Sequence, residues 1–256
     1  MKIVIIGSGN VGTVLGKLIQ KSGHEIVQVL SRNENHARSL AAILGCPGGS
    51  FRTSVYKNAD IYLFAISDNS LYHLDQYASL DTRLAVHTAG SVSKDELNKI
   101  SENFGILYPL QSLNKDAEII PEIPFLVDGN NTANIEIIRK FATTLSDKVS
   151  IAGDEERLSY HVAAVIVNNF TNHLYAVADE YCRKQNIDFT CLFPLIRETT
   201  ERIKEHPPAE LQTGPAIRED IYTLGKHLQV LSTHPDLKYL YLKLSESILK
   251  FHQKKN

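Results

Sequence analysis

Gly7, Gly9 and Gly12 stand in the spacing G-x-G-x-x-G, within Gly7-Ser8-Gly9-Asn10-Val11-Gly12. Where a backbone must meet a diphosphate, each glycine has its own task. Gly7 permits a tight turn, Gly9 leaves bare backbone for a pyrophosphate, and Gly12 lets the following helix pack closely on the preceding strand. The spacing is weak evidence alone and gains weight from its flanks. Ile3-Val4-Ile5-Ile6 is β-branched throughout and reads as a buried parallel strand, while Val14, Leu15, Leu18 and Ile19 recur at helical spacing. Strand, glycine turn and helix would put phosphates at a helix N-terminus, where unpaired N–H groups and the helix dipole favour an anion. The bland alternative is a glycine turn that binds nothing.

The next strand, Glu25-Ile26-Val27-Gln28-Val29-Leu30, bears on the choice of dinucleotide. An NAD site usually carries an acid there, about 20 residues past the glycines, to bond the ribose 2′-hydroxyl. This strand ends instead in Ser31-Arg32-Asn33. An arginine suits a 2′-phosphate, which its planar fork grips with charge-assisted bonds, and Ser31 and Asn33 can add neutral ones. The expected cofactor is therefore NADP(H). The competing reading makes Arg32 an ordinary solvated surface residue.

A third group lies far along the chain. His161, Val165, Asn168 and Asn172 step by four, three and four residues, so an α-helix would hold them on one stripe. Polar groups on such a helix are costly unless satisfied, and a ligand cleft would satisfy them. His161, Asn168 and Asn172 are the candidate catalytic residues, with His161 able to exchange a proton near neutral pH. Alternatively, His161 and the asparagines bond neighbouring helices or face a partner subunit. Val162, Ala163, Val167 and Phe170 form the adjoining apolar face and are expected in a core. Thr213-Gly214-Pro215, ahead of Arg218 and Asp220, reads either as an N-cap with a surface ion pair or as a second anion site.

Composition bounds what these residues can serve. The chain has 256 residues, long enough for one large or two modest domains, and a formal net charge of −2. So balanced a charge favours neither a nucleic acid nor an acidic membrane as partner. Three cysteines, Cys46, Cys182 and Cys191, lack metal-ligand or CxxC spacing, and no metal site is expected. Free thiols, a strand rather than a signal sequence at Lys2, and no membrane-length apolar run lead us to expect a cytoplasmic protein. The basic tail Lys254-Lys255 is too short to signify a partner.

Elements must place these groups. Helix is expected over Asn35 to Leu44, a turn at Gly48-Gly49-Ser50, and strand over Asp60 to Ile66. Leu71, Leu74 and Tyr77 suggest a helix. Further strands are expected at Leu84 to His87, Ile106 to Tyr108, Pro124 to Val127 and Val149 to Ile151, the last two flanking a helix from about Thr132 to Leu145. Alternating strands and helices imply a doubly wound parallel sheet, which binds ligands beyond the carboxyl ends of its strands. Ser67 and Asp68, Thr88, Ala89 and Gly90, and Tyr108 to Gln111 occupy such ends. From Asp154 on everything reads as helix, the first running unbroken to about Lys184 behind Asp154-Glu155-Glu156. The predicted organisation is a dinucleotide domain over residues 1–153 and an all-α domain over 154–256.

On these residues the chain resembles the 6-phosphogluconate dehydrogenase-like superfamily, which includes pyrroline-5-carboxylate reductase and the β-hydroxyacid dehydrogenases. It is most similar to deazaflavin-dependent NADP oxidoreductase-like proteins with a Rossmann-like domain and a C-terminal domain of unknown function. The signatures are His87-Thr88-Ala89-Gly90-Ser91, Tyr108-Pro109-Leu110-Gln111, Tyr160-His161-Val162-Ala163-Ala164, Asn168-Asn169-Phe170, and Thr213-Gly214-Pro215 with Arg218 and Asp220. The resemblance implies a Rossmann-type fold, hydride transfer between NADP(H) and a small acceptor held between the domains, and a homodimer formed through the helical domain. The nicotinamide is expected beside Thr88, Ala89 and Gly90. One departure stands out. β-Hydroxyacid dehydrogenases carry a lysine one turn before an asparagine on the long helix, where this chain has Ala164, Val165 and Asn168. Either His161 is the acid, or the acceptor (a deazaflavin or a protonated imine) needs none, or the chain is a non-catalytic NADP-binding sensor or scaffold.

Overall fold

The computed structural model describes residues 1–74, 77 and 79–253. Lys254 and Lys255 lie outside them, as does part of the helix expected around Leu71 to Tyr77. The chain divides into two compact units, Met1–Phe170 and Thr171–Asn256.

The first unit is built on a sheet of eight strands. They are β1 Lys2–Ile6, β2 Glu25–Ser31, β3 Gly48–Ser50, β4 Ile61–Phe64, β5 Asp81–His87, β6 Ser101–Pro109, β7 Phe125–Gly129 and β8 Val149–Ile151. Their spatial order is β3-β2-β1-β4-β5-β6-β7-β8. β1 lies at the centre, parallel to both β2 and β4. Its Ile3, Val4 and Ile5 are fully buried, as a strand covered on both faces requires. The order reverses between β1 and β4, which makes the gap beyond their carboxyl ends the natural ligand crevice.

Two strands depart from the sequence reading. Gly48-Gly49-Ser50, expected as a turn, is β3 and pairs in parallel with β2. A side chain on Gly48 would press on Ala41 and on the backbone at Ala37 and Arg38, so glycine lets this edge strand lie close under a helix. The sheet is also not wholly parallel, because β7 runs antiparallel to β6 and β8 follows β7.

Helices α1 (Asn10–Lys21), α2 (Glu34–Leu44), a short α3 (Asp68–Leu71) and α4 (Thr132–Thr143) connect the strands. α1 and α2 turn Val14, Leu15, Ile19, Leu40 and Leu44 into the largest core cluster, beside Ile3, Ile5 and Val29. Tyr62, Phe64, Leu71 and Val92 belong to a second cluster with Val4 and Ile6.

Helical structure runs unbroken from Asp154 to Lys184, as α5 (Asp154–Ala164), a π-helical segment (Val165–Phe170) and α6 (Thr171–Lys184). The switch from strand to helix comes at Asp154, but α5 and the π segment pack with the sheet, so the first unit reaches Phe170. The second unit holds α6, α7 (Phe193–Arg202), α8 (Ile221–Val230) and α9 (Pro235–Gln253). Asp220 caps α8 by accepting the Thr223 N–H at 3.0 Å. Thr213, expected as the cap, therefore lies several residues before the helix it was matched to. No helix among the described residues is long and apolar enough to cross a membrane.

Candidate active site

The glycine turn sits where β1 ends. Gly7 has φ +121°, and its N–H donates to the Leu30 carbonyl at 2.8 Å. A Cβ on Gly7 would collide with the Ala65 carbonyl after β4, and one on Gly12 with the Gly7 carbonyl. These two glycines are demanded by the fold itself. Gly9 differs: a Cβ there would meet nothing within 4 Å, and no side chain caps α1, which starts just after it. An open face above bare backbone at an uncapped helix N-terminus fits a diphosphate.

At the end of β2, Arg32 is exposed and makes no ion pair or hydrogen bond among the described residues, which leaves its guanidinium free for a phosphate. Ser31 is half-buried beside it. Asn33 is already engaged, since its Oδ1 caps α2 by accepting the His36 N–H at 3.2 Å.

The loops after β4 and β5 are tied together. The Ser91 hydroxyl donates to Asp68 at 2.5 Å, and Ser67 shares a 2.8 Å bond with Ser70. Buried Thr88 donates to the Phe64 carbonyl at 3.4 Å. His87 has no exposed surface and organises this loop: its Nδ1 accepts the Ala89 N–H at 3.1 Å, so its proton lies on Nε2, 3.2 Å from the Ser93 carbonyl. Burial lowers its pKa to about 4, against the opposing hydrogen bond to Ser93, so it is a neutral structural imidazole.

Beyond that loop, α5 brings in the chemistry. The Tyr108 hydroxyl, near the end of β6, and His161 Nδ1 share a hydrogen bond of 3.0 Å. Both rings rest against Gly90. A Cβ there would fall 2.7 Å from His161 Nδ1 and 2.9 Å from Tyr108 Cζ, so only glycine lets the pair form. Burial raises the pKa of Tyr108, with the Arg157 charge offsetting part of the effect, so the phenol keeps its proton. When it donates to Nδ1, a neutral His161 carries its own proton on Nε2.

The start of α5 is anchored beneath this pair. Asp154 accepts from the Ser93 hydroxyl at 2.5 Å and from Arg157 at 2.8 Å, while Arg157 donates to the Val92 carbonyl at 2.5 Å. Burial opposes ionisation of Asp154, but the bonds from Ser93 and Arg157 outweigh it and hold its pKa below the usual value. Arg157 is 1 % exposed. Sequence reasoning passed over it; the one available signal was a cation in the first turn of a helix, where the dipole disfavours it unless it is paired.

A cleft of about 540 Å³ opens above Tyr108 and His161, lined also by Val11, Thr88, Asn168 and Asn169. It lies wholly within the first unit and joins the glycine turn, the end of β5 and the long helix. Of the proposed stripe, His161, Val165 and Asn168 line it, and Asn172 belongs to the second unit. A π segment lies within this stretch, and its i→i+5 turns advance the helix face differently from the four-three-four spacing of an α-helix. Val162, Val167 and Phe170, expected in a core, are 52 %, 71 % and 58 % exposed, and Ala163 is exposed too. α5 and the π segment leave this apolar side exposed among the described residues. Among the described residues no cluster of His, Cys, Asp or Glu could hold a metal ion.

A doubly wound sheet with this turn and cleft defines an NAD(P)-dependent oxidoreductase. Comparison with known proteins agrees. Residues 2–89 match the family described as NADP oxidoreductase coenzyme F420-dependent, and residues 123–248 match a domain of unknown function, DUF2520. A Bacteroides fragilis protein assigned to the NADP oxidoreductases is 37 % identical, with 97 % of this chain and 98 % of that one covered and a TM-score of 0.88. A Thermotoga maritima protein is 20 % identical over 99 % of both chains, with a TM-score of 0.73. The 1-pyrroline-5-carboxylate reductase of Streptococcus pyogenes shares the fold at 13 % identity over 98 % of both chains, with a TM-score of 0.64. The search of curated proteins returned no match. The chain belongs to the NADP oxidoreductase family that joins a coenzyme F420-dependent-type dinucleotide domain to DUF2520.

Proposed function

We propose that the chain is an NADPH-preferring reductase of a small carbonyl or imine acceptor held in the cleft over Tyr108 and His161. The observation that carries this reading is the Tyr108–His161 hydrogen bond against Gly90, at the mouth of the strand ends. NADPH supplies the hydride when bound. The chain's residues do the rest. Gly9 and the start of α1 receive the pyrophosphate, and the unpaired Arg32 receives the 2′-phosphate. Tyr108 holds the His161 ring, and His161 Nε2–H faces the task of protonating the acceptor's oxygen or nitrogen as the C=X bond is reduced. Asn168 and Asn169 offer amides to orient the acceptor.

The functional form is proposed to be a homodimer made through the helical unit. That unit exposes Leu195, Ile221, Tyr222 and Tyr239 at 64 % or more, and has an apolar groove of about 470 Å³ along Leu174, Val177, Leu240 and Leu244. Surfaces of this kind in one chain favour a symmetric second copy.

A screen of NADPH oxidation against ketones, cyclic imines and flavin-type acceptors tests the reading. Turnover of ketones or imines supports it. Turnover restricted to flavin-type acceptors would transfer the role of His161 from acid to a packing group.

A further inference from the structure

The charges around the cleft are arranged with a consistency that bears on what can enter it. Its polar lining among the described residues is Thr88, Tyr108, Gln111, Ser112, Tyr160, His161, Asn168 and Asn169, and no Lys, Arg, Asp or Glu stands among the described lining residues. Three charged groups of the same unit are engaged elsewhere. Arg157 is buried and bonded to Val92 and Asp154, Lys94 pairs with Asp128 at 2.9 Å, and Asp68 accepts from Ser91. Arg157 and Asp68 also act on Tyr108 with opposite sign, Asp68 offsetting part of the larger effect of Arg157. The remaining walls, including Val11, Leu110 and Val167, are apolar.

Sites that take a carboxylate or phosphate normally provide an arginine or lysine, because an anion stripped of water and left unpaired is costly. Hydroxyls, amides and a neutral imidazole serve an uncharged carbonyl or imine equally well. A volume of about 540 Å³ suits a small molecule with an apolar body. Resting on the reductase reading above, we infer that the acceptor carries no acidic group: it is an uncharged ketone, aldehyde or imine with an apolar body and one polar atom directed at His161. When bound, NADPH would supply the hydride for the C=X carbon and leave as NADP⁺. The proton on X comes from His161 Nε2 while the Tyr108 hydroxyl passes its own proton to Nδ1, and solvent reprotonates Tyr108.

Matched pairs test this on the full-length protein with saturating cofactor: cyclohexanone against 4-oxocyclohexanecarboxylate, and 2-methyl-1-pyrroline against 1-pyrroline-2-carboxylate. NADPH oxidation gives turnover, and saturation-transfer NMR on the NADP⁺-loaded protein gives binding without turnover. The uncharged member is expected to lead by about tenfold or more in kcat/KM, equivalent to roughly 1.4 kcal/mol, and to be the member that shows saturation transfer. A carboxylate that binds and reacts equally well or better overturns the inference and leaves the reductase reading standing. If no member binds or reacts while NADPH still binds, both fall. The rim variant Val167→Arg adds a cation at a position 71 % exposed and should raise kcat/KM for the carboxylates. If those rates stay at the parent level, the cleft is not where the acceptor sits, and the inference is overturned.

Discussion

The two compact units of this chain are made from equally amphipathic sequence and end in opposite states. In Met1–Phe170 the apolar faces of the sheet and of α1, α2 and α4 close on one another, and Ile3, Ile5, Leu15, Ile19, Leu63 and Phe125 are fully buried. Among the described residues of Thr171–Asn256 the buried ones are Cys182, Ala216 and Leu231, whereas Ile221 and Tyr222 are 70 % and 82 % exposed. The contrast teaches that periodicity identifies an apolar face and says nothing about what covers it. A central sheet offers two faces to its own helices, while four helices without a sheet have few ways to bury every stripe. The glycine turn, the Arg32 position and the Tyr108–His161 pair all belong to the unit built on the sheet.

That contrast can be strained at several points. The largest effect is expected at His161. His161→Ala should slow the chemical step by roughly 10²–10⁴-fold while leaving NADPH affinity close to that of the parent. Single-turnover kinetics beside a cofactor titration check this, and parental turnover in a folded variant removes the acid assignment.

Arg157→Ala should destabilise the first unit by about 3–5 kcal/mol, because Asp154 loses its buried partner and the Val92 carbonyl loses its donor. Urea unfolding measures the loss. A loss under 1 kcal/mol would mean that the anchor of α5 lies elsewhere.

His87 gives a pH dependence of comparable size. Its folded pKa is about 4, below the ordinary 6.5, so the unfolded chain binds the proton more readily. Its contribution is therefore fully present above pH 6.5 and is lost as pH falls from about 6.5 to 4, amounting to about 3 kcal/mol. Denaturant midpoints across that range should fall for the parent and flatten in His87→Gln; parallel curves would contradict the assignment.

Arg32→Ala should weaken NADPH binding roughly ten- to a hundredfold and leave NADH binding nearly unchanged. Equal losses for both cofactors would show that Arg32 does not read the phosphate. The smallest effect is expected from the second unit. Tyr222→Lys should shift a dimer towards monomer in sedimentation, yet alter NADPH affinity by no more than about twofold. A parallel fall in affinity would break the contrast, since the first unit would then depend on the second for its own site.

By itself the sequence determined the central βαβ unit, its glycine turn, the missing acid after β2 and the change to helix at Asp154. These are local matters: residue size, β-branching and spacing within one or two turns of chain decide them. Gly48-Gly49-Ser50 resisted such reading because glycine signals a turn unless a neighbouring strand and helix claim it. The antiparallel β7 resisted because strand direction is a property of the pairing and not of the strand. Only the tertiary structure could show that Gly90 makes room for Tyr108 against His161, residues separated by more than fifty positions. Only it could show that Arg157, an unremarkable residue among acids, is buried as the anchor of α5. The same holds for the π turn that interrupts the α-helical register of the stripe, with Asn168 in the cleft. Each of these depends on how distant backbone approaches, and spacing along a chain does not record that distance.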